Sequence, residues 1–519
     1  MANKGIQILR KTEYLIQQYA AILSSIGMIL LLAGALMLTP LLVLTTCPEE
    51  AIHAWAFILP AGCCVLLGFV LWRLSRGSSD IVLSVQEGGV IVLVGWIVVI
   101  FFSAWPFVSI LGLSISRAFF ESMSGWTTTG LSVVDVTRAG PMILLWRSVM
   151  QLAGGAGLAI IMMSAIVGPT GVGISSAEGR SDQLVPQVRQ SARLVLILYS
   201  GYAAAGTFAY WIAGMSPFDA LNHAFAAVST GGFSTRAESI GYWDSPAIEA
   251  VSLPLMLLGN LSFVTAWLLW RGRLRPASRN GEVRLLVVLI PLSAAAIFLL
   301  TSQAIYTQLG SQLGSQLEPQ LAKSIRVAVF ETVTAITTTG FSTVGYGNWN
   351  AFGVLLLVVL MLIGGGTCST AGGMKQFRVY LFCKLLVWEI RRSFLPRSAI
   401  FERPVWEGNR RVFVDDARVR QVAIFVFLYL ATFLGGALFL CACGYSLGDS
   451  LFEFASALGT VGLSVGVTSA QMPDAALWAE ILAMFLGRLE FTVVVVSLFK
   501  LFRDGRLLMT TPRIRGQAI

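Results

Sequence analysis

The chain has 519 residues, of which 56% are hydrophobic and only 12% charged, and its mean hydropathy of +0.77 lies far outside the range of water-soluble domains. A soluble globular or disordered protein is thereby excluded. The net charge of +9 does not point to nucleic acid either, because the lysines and arginines stand in loops between apolar runs.

Apolar runs of about 20 residues, enough to cross roughly 30 Å of hydrocarbon, recur along the chain. The first, 18–45, follows Lys4, Arg10 and Lys11. It is too long for the apolar part of a signal peptide and lacks a small-x-small cleavage site, so it reads as a retained helix. A second run covers 52–72. From there the order long run, short run, long run occurs four times, with long runs at 88–112 and 142–168, 192–213 and 248–270, 283–304 and 352–390, and 419–444 and 475–499. The expectation is an all-α membrane protein with ten spans: a leading helix pair in 1–80, then units at 81–178, 179–275, 276–400 and 401–519. Basic residues sort with this map. Of the 36, 29 fall in the N-terminal tail, 73–76, 180–193, 271–284, 375–420 and the C-terminal tail, which places both termini in the cytoplasm. The tandem string QLGSQLGSQLEP at 308–319 reads as a tolerated insertion in an outside loop. Seven scattered cysteines form neither a disulfide framework nor a metal-spaced set, and read as small core residues.

The short run of each unit is too short to span and is expected to be re-entrant. The four read FESMSGWTTTGLS (120–132), LNHAFAAVSTGGFS (221–234), FETVTAITTTGFS (330–342) and FEFASALGTVGLS (452–464), taken as copies aligned without gaps. In this register Glu121, Glu331 and Glu453 stand nine residues before Gly130, Gly340 and Gly462, and Asn222 stands nine before Gly231. Each following run carries a further glycine, namely Gly154, Gly259, Gly364 and Gly487. Small residues at helix crossings would explain one such segment. Four copies at matched offsets point instead to a pore for a dehydrated cation, in which glycine permits backbone carbonyls to face the ion and threonine adds a hydroxyl below them. The expected lining is Thr128, Thr129 and Gly130; Ser229, Thr230 and Gly231; Thr338, Thr339 and Gly340; and Thr460, Val461 and Gly462. The glutamates are expected near the starts of short helices, complementing the positive dipole end. The string TVGYG at 343–347 matches the filter of tetrameric potassium channels, but it occurs once, so it reads as an outer turn.

With these motifs the chain resembles the Trk/Ktr/HKT superfamily of potassium transporters, and its TrkH branch, over essentially its whole length. The two leading helices match that branch as well. The resemblance implies four membrane-pore-membrane repeats around a pseudo-four-fold pore, with Gly130, Gly231, Gly340 and Gly462 at the filter positions. A serine at the first of these goes with sodium permeation in the superfamily, so Gly130 favours potassium, as transported ion and not as cofactor. It further implies a homodimer in the bacterial inner membrane, in contact with lipid, docked on a cytoplasmic nucleotide-binding subunit of the TrkA type.

The string GGGTCSTAGG at 364–373 interrupts the second long run of the third unit. Each glycine costs a helix up to about 1 kcal/mol relative to alanine, so the span is expected to break there. The unwound stretch, with Gly364, Gly365, Gly366, Thr367, Ser369, Thr370, Gly372 and Gly373, reads as a flexible gate beneath the filter. TrkH-like proteins carry an intramembrane gating loop in this place. Arg488 lies inside an apolar run, where its charge costs at least about 3 kcal/mol unless it faces the pore or a partner. Gly155, Asn260 and Gly365 occupy the aligned positions, and the expectation is an electrostatic barrier; the alternative is an ion pair with Glu490. An enzyme is disfavoured by only two histidines, His53 and His223, and no HExxH or GxSxG string. Whether transport is passive or coupled to protons or sodium is not encoded in any of these motifs.

Overall fold

The computed structural model describes residues 2–75, 84–157, 188–313, 317–396, 402, 404–407 and 410–510. The expected run over 158–168, the basic residues of 180–187, parts of 375–420 and the tail 511–519 lie outside the described residues. Two leading helices, α1 (Ala2–Met37) and α2 (Trp55–Leu74), pack against each other. They cross at Gly27 and Gly68, where a Cβ on either glycine would fall within 2.6–2.7 Å of the other's carbonyl oxygen. Small residues at such a crossing let two backbones approach closely.

Unit 1 comprises α3 (Val85–Ser103), α4 (Trp105–Leu111), α5 (Ile115–Trp126) and α6 (Pro141–Ala156). Unit 2 has α7 (Val188–Ile212), α8 (Pro217–Val228), α9 (Pro246–Asn260), α10 (Phe263–Trp270) and α11 (Leu274–Arg279). Unit 3 has α12 (Gly281–Leu313), α13 (Leu317–Ile336), α14 (Ala351–Ile363) and α15 (Gln376–Ser393). A two-stranded antiparallel hairpin, β1 (Pro404–Glu407) with β2 (Arg410–Phe413), leads into unit 4 and is the one departure from an all-α fold among the described residues. Unit 4 has α16 (Asp416–Ala442), α17 (Leu447–Gly459), α18 (Asp474–Leu489) and α19 (Phe491–Thr510).

Six described helices are long and apolar enough to cross a bilayer: Tyr14–Thr45, Trp55–Leu74, Gln86–Leu111, Arg193–Ile212, Gly281–Thr301 and Asp416–Ala442. Their outward faces carry bare apolar side chains such as Leu66, Phe101, Phe208, Leu299, Phe427 and Leu438, which water would not tolerate as a continuous surface and lipid does. The leading pair and the first long run of every unit are thus present. The second long runs differ from expectation. The sequence marks only the third as broken, whereas α9 stops at Asn260 before a new helix starts at Phe263, and α18 meets α19 at a bend of 101°. Glu490 forms that bend with φ +62°, and α6 ends on Gly157 with φ +72°. The insertion at 308–319 also departs from expectation: 308–313 continue α12 and 317–319 begin α13, so it extends helices rather than a loop. Of the cysteines, Cys64 and Cys368 are buried, but Cys63 and Cys383 are exposed, so only part of that set belongs to the core.

The kinks sit where the second helices meet the ends of the short ones. A Cβ on Gly154 would collide with the carbonyl of Trp126, one on Gly487 with that of Leu458, and one on Gly259 would lie 2.7 Å from that of Val228. Gly487→Val is therefore expected to destabilise the folded protein by about 1–3 kcal/mol through overpacking. Gly435→Ala, at a helical site with nothing within 4 Å of an added Cβ, is expected to be neutral or slightly stabilising. Thermal unfolding in detergent compares the two, and equal melting temperatures would refute the contact.

Candidate functional site

Each short helix starts and ends in a way its sequence explains. Ser114, Ser216 and Ser446 cap α5, α8 and α17, their hydroxyls accepting from the backbone N–H of Arg117, Asp219 and Asp449. At the other end Thr128, Thr230, Thr338 and Thr460 all adopt left-handed backbone, with φ of 50–55°. A β-branched residue there is an outlier costing about 1–3 kcal/mol, and it persists only where its surroundings hold it. The residue after each threonine supplies that hold: Thr129, Gly231, Thr339 and Val461 donate from N–H to the carbonyls of Ser124, Ala226, Thr334 and Ser456 at 2.8–3.0 Å.

Two residues past each threonine stands a glycine with φ between 73° and 96°: Gly130, Gly232, Gly340 and Gly462. A Cβ on Gly130 would collide with the carbonyl oxygen of Gly231, on Gly232 with that of Thr339, on Gly340 with that of Val461, and on Gly462 with that of Thr129. The four loops therefore close on one another in a ring. This corrects the register in unit 2. The equivalent glycine is Gly232, and Gly231 matches Thr129, Thr339 and Val461; the equivalent triplet is Thr230, Gly231 and Gly232, with Ser229 one step below. All four ring glycines face one cavity of about 900 Å³ on the side away from loop 364–375, the outer side in the orientation expected from sequence, and Gly231 does not. Thr343 to Tyr346 of the TVGYG string line the same cavity, beyond the ring glycine Gly340. Asp135 also lines it, its carboxylate held below the usual range by hydrogen bonds from the Thr137 hydroxyl and N–H.

The glutamates serve a different purpose from the one expected. Glu121 lies in the middle of α5 and accepts from Ser132 Oγ at 2.9 Å and Val133 N at 3.0 Å, holding the segment that leaves the ring. Glu331 does the same for Thr343, through its N–H at 2.9 Å and its hydroxyl at 2.8 Å, and accepts from Tyr346 Oη at 2.5 Å. Glu453 accepts from Ser464 Oγ at 2.6 Å and Val465 N at 3.1 Å. In unit 2 the corrected register puts His223, not Asn222, nine residues before the ring glycine. Its Nδ1 lies 2.8 Å from the Asp219 carbonyl, which can only accept, so Nδ1 carries the proton and Nε2 is left to accept from Ser234 Oγ at 2.9 Å. A neutral histidine thus takes the carboxylate's place.

Two further residues brace the ring. Gln151 of α6 donates to Gly231 O at 2.5 Å and accepts from Phe233 N at 3.2 Å. Arg147, one of the seven basic residues that fall outside the segments assigned to the cytoplasm, is buried and pairs with Glu121 at 2.7 Å while its guanidinium lies over Phe233.

Beneath the threonines the path is filled by 364–375, the break between α14 and α15. The Gly372 N–H donates to Thr338 Oγ1 at 2.9 Å, and Thr370 Oγ1 lies 3.2 Å from Thr230 Oγ1. A Cβ on Gly372 would collide with Thr460 Oγ1. Three of the four threonines thus touch this loop. Thr367 N–H is received by Glu282 at 2.7 Å, and Gly366 N–H by Asn260 O at 3.1 Å, which pins the loop to its neighbours. Arg488 grips it from the fourth unit, Nη1 donating to Thr370 O and Nη2 to Gly154 O, each at 2.6 Å. Glu490 pairs instead with Arg378 at 2.7 Å.

The profile of the TrkH family, described as cation transport protein, matches residues 56–508. The chain belongs to the TrkH family. It is 31% identical over 490 residues, 92% of this chain and 97% of the relative, to the Trk system potassium uptake protein TrkH of Halomonas elongata. It is 30% identical over 497 residues, 94% of this chain and 97% of the relative, to an uncharacterized cation transporter of Methanocaldococcus jannaschii. The crystal structure of the potassium transporter TrkH from Vibrio parahaemolyticus superposes with a TM-score of 0.78 at 28% identity, covering 93% of this chain and 98% of that one. The chain is a membrane cation transporter of this family, and the enzyme reading has no counterpart among these relatives.

Sequence reading missed Gly232, His223, Gln151 and Arg147. The shared ending Gly-Phe/Leu-Ser would have yielded the first two, because counting back from Ser132, Ser234, Ser342 and Ser464 aligns the ring glycines directly. Gln151 and Arg147 have no local signature. Breaking the Arg147–Glu121 pair leaves a buried charge uncompensated, so Arg147→Met is expected to cost about 3–5 kcal/mol. Adding Glu121→Gln should recover much of that loss in chemical unfolding monitored by tryptophan fluorescence. A double variant no more stable than the single one would refute the charge argument.

Proposed function

We propose that this protein takes up potassium across the bacterial inner membrane through one pore whose selectivity is set at Gly130, Gly232, Gly340 and Gly462. The observation that carries the reading is the closed ring of glycines and neighbouring carbonyls opening on the outer cavity, with hydroxyl-bearing threonines immediately below. Backbone carbonyls in such a ring can replace the hydration shell of a monovalent cation. The potassium uptake protein of Halomonas elongata and the potassium transporter of Vibrio parahaemolyticus support potassium as that cation. The buried hydroxyls of Thr128 and Thr460 have no hydrogen-bond partner among the described residues and are suited to an ion at the lower end. Replacing Gly232 or Gly340 by serine sets a side chain against the next carbonyl and should lower potassium preference over sodium in liposome flux. Gly345→Ser, in the outer turn, should leave that preference intact. The reverse pattern would refute the ring as filter.

Loop 364–375 and Arg488 act as the closed gate in this reading. The guanidinium fork supplies one nitrogen to each of two carbonyls, which a lysine ammonium cannot reproduce at both. Arg488→Ala and deletion of 364–373 should each raise rubidium uptake by the purified protein alone. Arg488→Lys should fall between wild type and alanine. Unchanged uptake in both of the first two would remove the gate assignment and leave the filter standing.

Control is proposed to come from the cytoplasm, through a homodimer bound to a nucleotide-binding subunit of the TrkA type. The hairpin packs through Val405 on the same apolar cluster as Phe377, Leu381 and Trp388 of α15, whose Gln376 N–H bonds to Gly365 O. A force on the hairpin would therefore reach the loop. The same reading puts both termini on that side and takes the four units as pore repeats.

A further inference from the structure

Counted back seven residues from Gly154, Gly259, Gly364 and Gly487, the second helices carry Arg147, Ser252, Leu357 and Glu480. In unit 1 this place meets the residue that anchors the segment leaving the ring directly and in unit 4 it does so through Thr468, and each unit fills it differently. In unit 1 a base meets an acid, Arg147 with Glu121. In unit 2 Ser252 accepts from Tyr210 at 2.8 Å and the anchor is the neutral His223. Unit 3 is apolar here, and Tyr346 serves Glu331. Unit 4 alone sets an acid beside an acid.

Glu480 and Glu453 are both fully buried. Thr468 bridges them, its N–H donating to Glu453 Oε1 at 2.9 Å and its hydroxyl to Glu480 Oε2 at 3.1 Å. Glu453 also receives Ser464 Oγ and Val465 N, a set of donors that suits an ionised carboxylate. Glu480 receives the Thr468 hydroxyl alone, and its Oε1 is buried without a partner among the described residues. The titratable groups that interact with it are Glu453 of α17 and Tyr445 in the turn before that helix. Among the described residues no base forms an ion pair with it: Arg117 of α5 bonds to Ser114, Arg378 pairs with Glu490 and Lys500 of α19 with Glu87 and Asp504, while Asp474 and Arg488 on its own helix lie six and eight residues away. Two adjacent buried carboxylates without a base cannot both be ionised.

We propose that Glu480 is a proton-binding site, held as the neutral acid with its proton on Oε1 and open to the outer cavity by way of Thr468, which lines that cavity. Loss of the proton at alkaline external pH sets a second negative charge against Glu453, the residue that holds Ser464 to Thr468 just beyond Gly462. This consequence rests on the reading of Gly462 as part of the filter: potassium preference should decline as external pH rises, and should not in Glu480→Gln.

The experiment is infrared difference spectroscopy of the full chain in lipid nanodiscs between neutral and alkaline pH, with the same preparations used for rubidium and sodium flux. The expected result is a protonated-carboxyl C=O band in wild type that Glu480→Gln and Glu480→Met both remove and Glu331→Gln leaves in place. A band unchanged in both Glu480 variants, or none in wild type, overturns the proposal. So does a melting temperature that rises with added sodium or potassium in wild type but not in Glu480→Gln, because a cation would then hold the place. A Glu480 band in a protein without any flux leaves the proton site standing and removes the pore reading instead.

Discussion

The carbonyl oxygens of Thr129, Gly231, Thr339 and Val461 occupy the space that a side chain on the next loop's glycine would need. Every other feature of the centre follows from this mutual approach. Four loops can converge so closely only if the approaching residue has no Cβ and tolerates positive φ, and glycine alone meets both conditions without strain. Convergence also sets backbone that is neither helix nor sheet at membrane depth, where its polar groups must be satisfied by protein or by what passes between them.

Holding four such loops in place requires rigid anchors on both sides of each glycine. Below it, the left-handed threonine is locked by the hydrogen bond of the residue after it to the helix end. Above it, an acceptor at mid-helix captures the outgoing segment. That acceptor is a glutamate three times and a histidine once, and the group set beside it varies from arginine to tyrosine to a second acid. The shared requirement is for a buried acceptor at one position, not for a particular charge, so the four units meet it by different chemistry. Buried polar groups of this kind rigidify when every member is satisfied.

The second helices bring the same constraint to the inner side. Each has to set a glycine against the carbonyl end of a short helix or, in unit 3, against the loop itself, and in units 2, 3 and 4 the helix is interrupted just beyond. In units 2 and 4 the interruption is a step of one or two residues, while in unit 3 it grows into a loop that fills the space under the threonines. Arg488 belongs to this arrangement as a donor to two carbonyls from different units, which joins the loop to the frame.

Much of this was legible in sequence because it rests on local pattern. Apolar runs of spanning length, four short segments ending in threonine and glycine, five glycines within 364–373 and a lone arginine in an apolar run each carry their meaning within about 20 residues. Gly130, Gly340 and Gly462 were accessible this way, and so were the break in unit 3 and the interior place of Arg488. Gly231 and Gly232 are adjacent and identical as letters, and only contact with the neighbouring loops decides which of them belongs to the ring. The mid-helix use of the glutamates, the neutral histidine in unit 2, the brief kinks of α9 and α18 and the partners of Arg147, Gln151, Arg488 and Glu480 were decided in the same way. These are contacts made across turns and between elements, over 11 positions for Glu121 and Ser132 and over 334 for Arg488 and Gly154. A local pattern records which face of an element is buried but not what it is buried against, and that second quantity exists only once the units have packed.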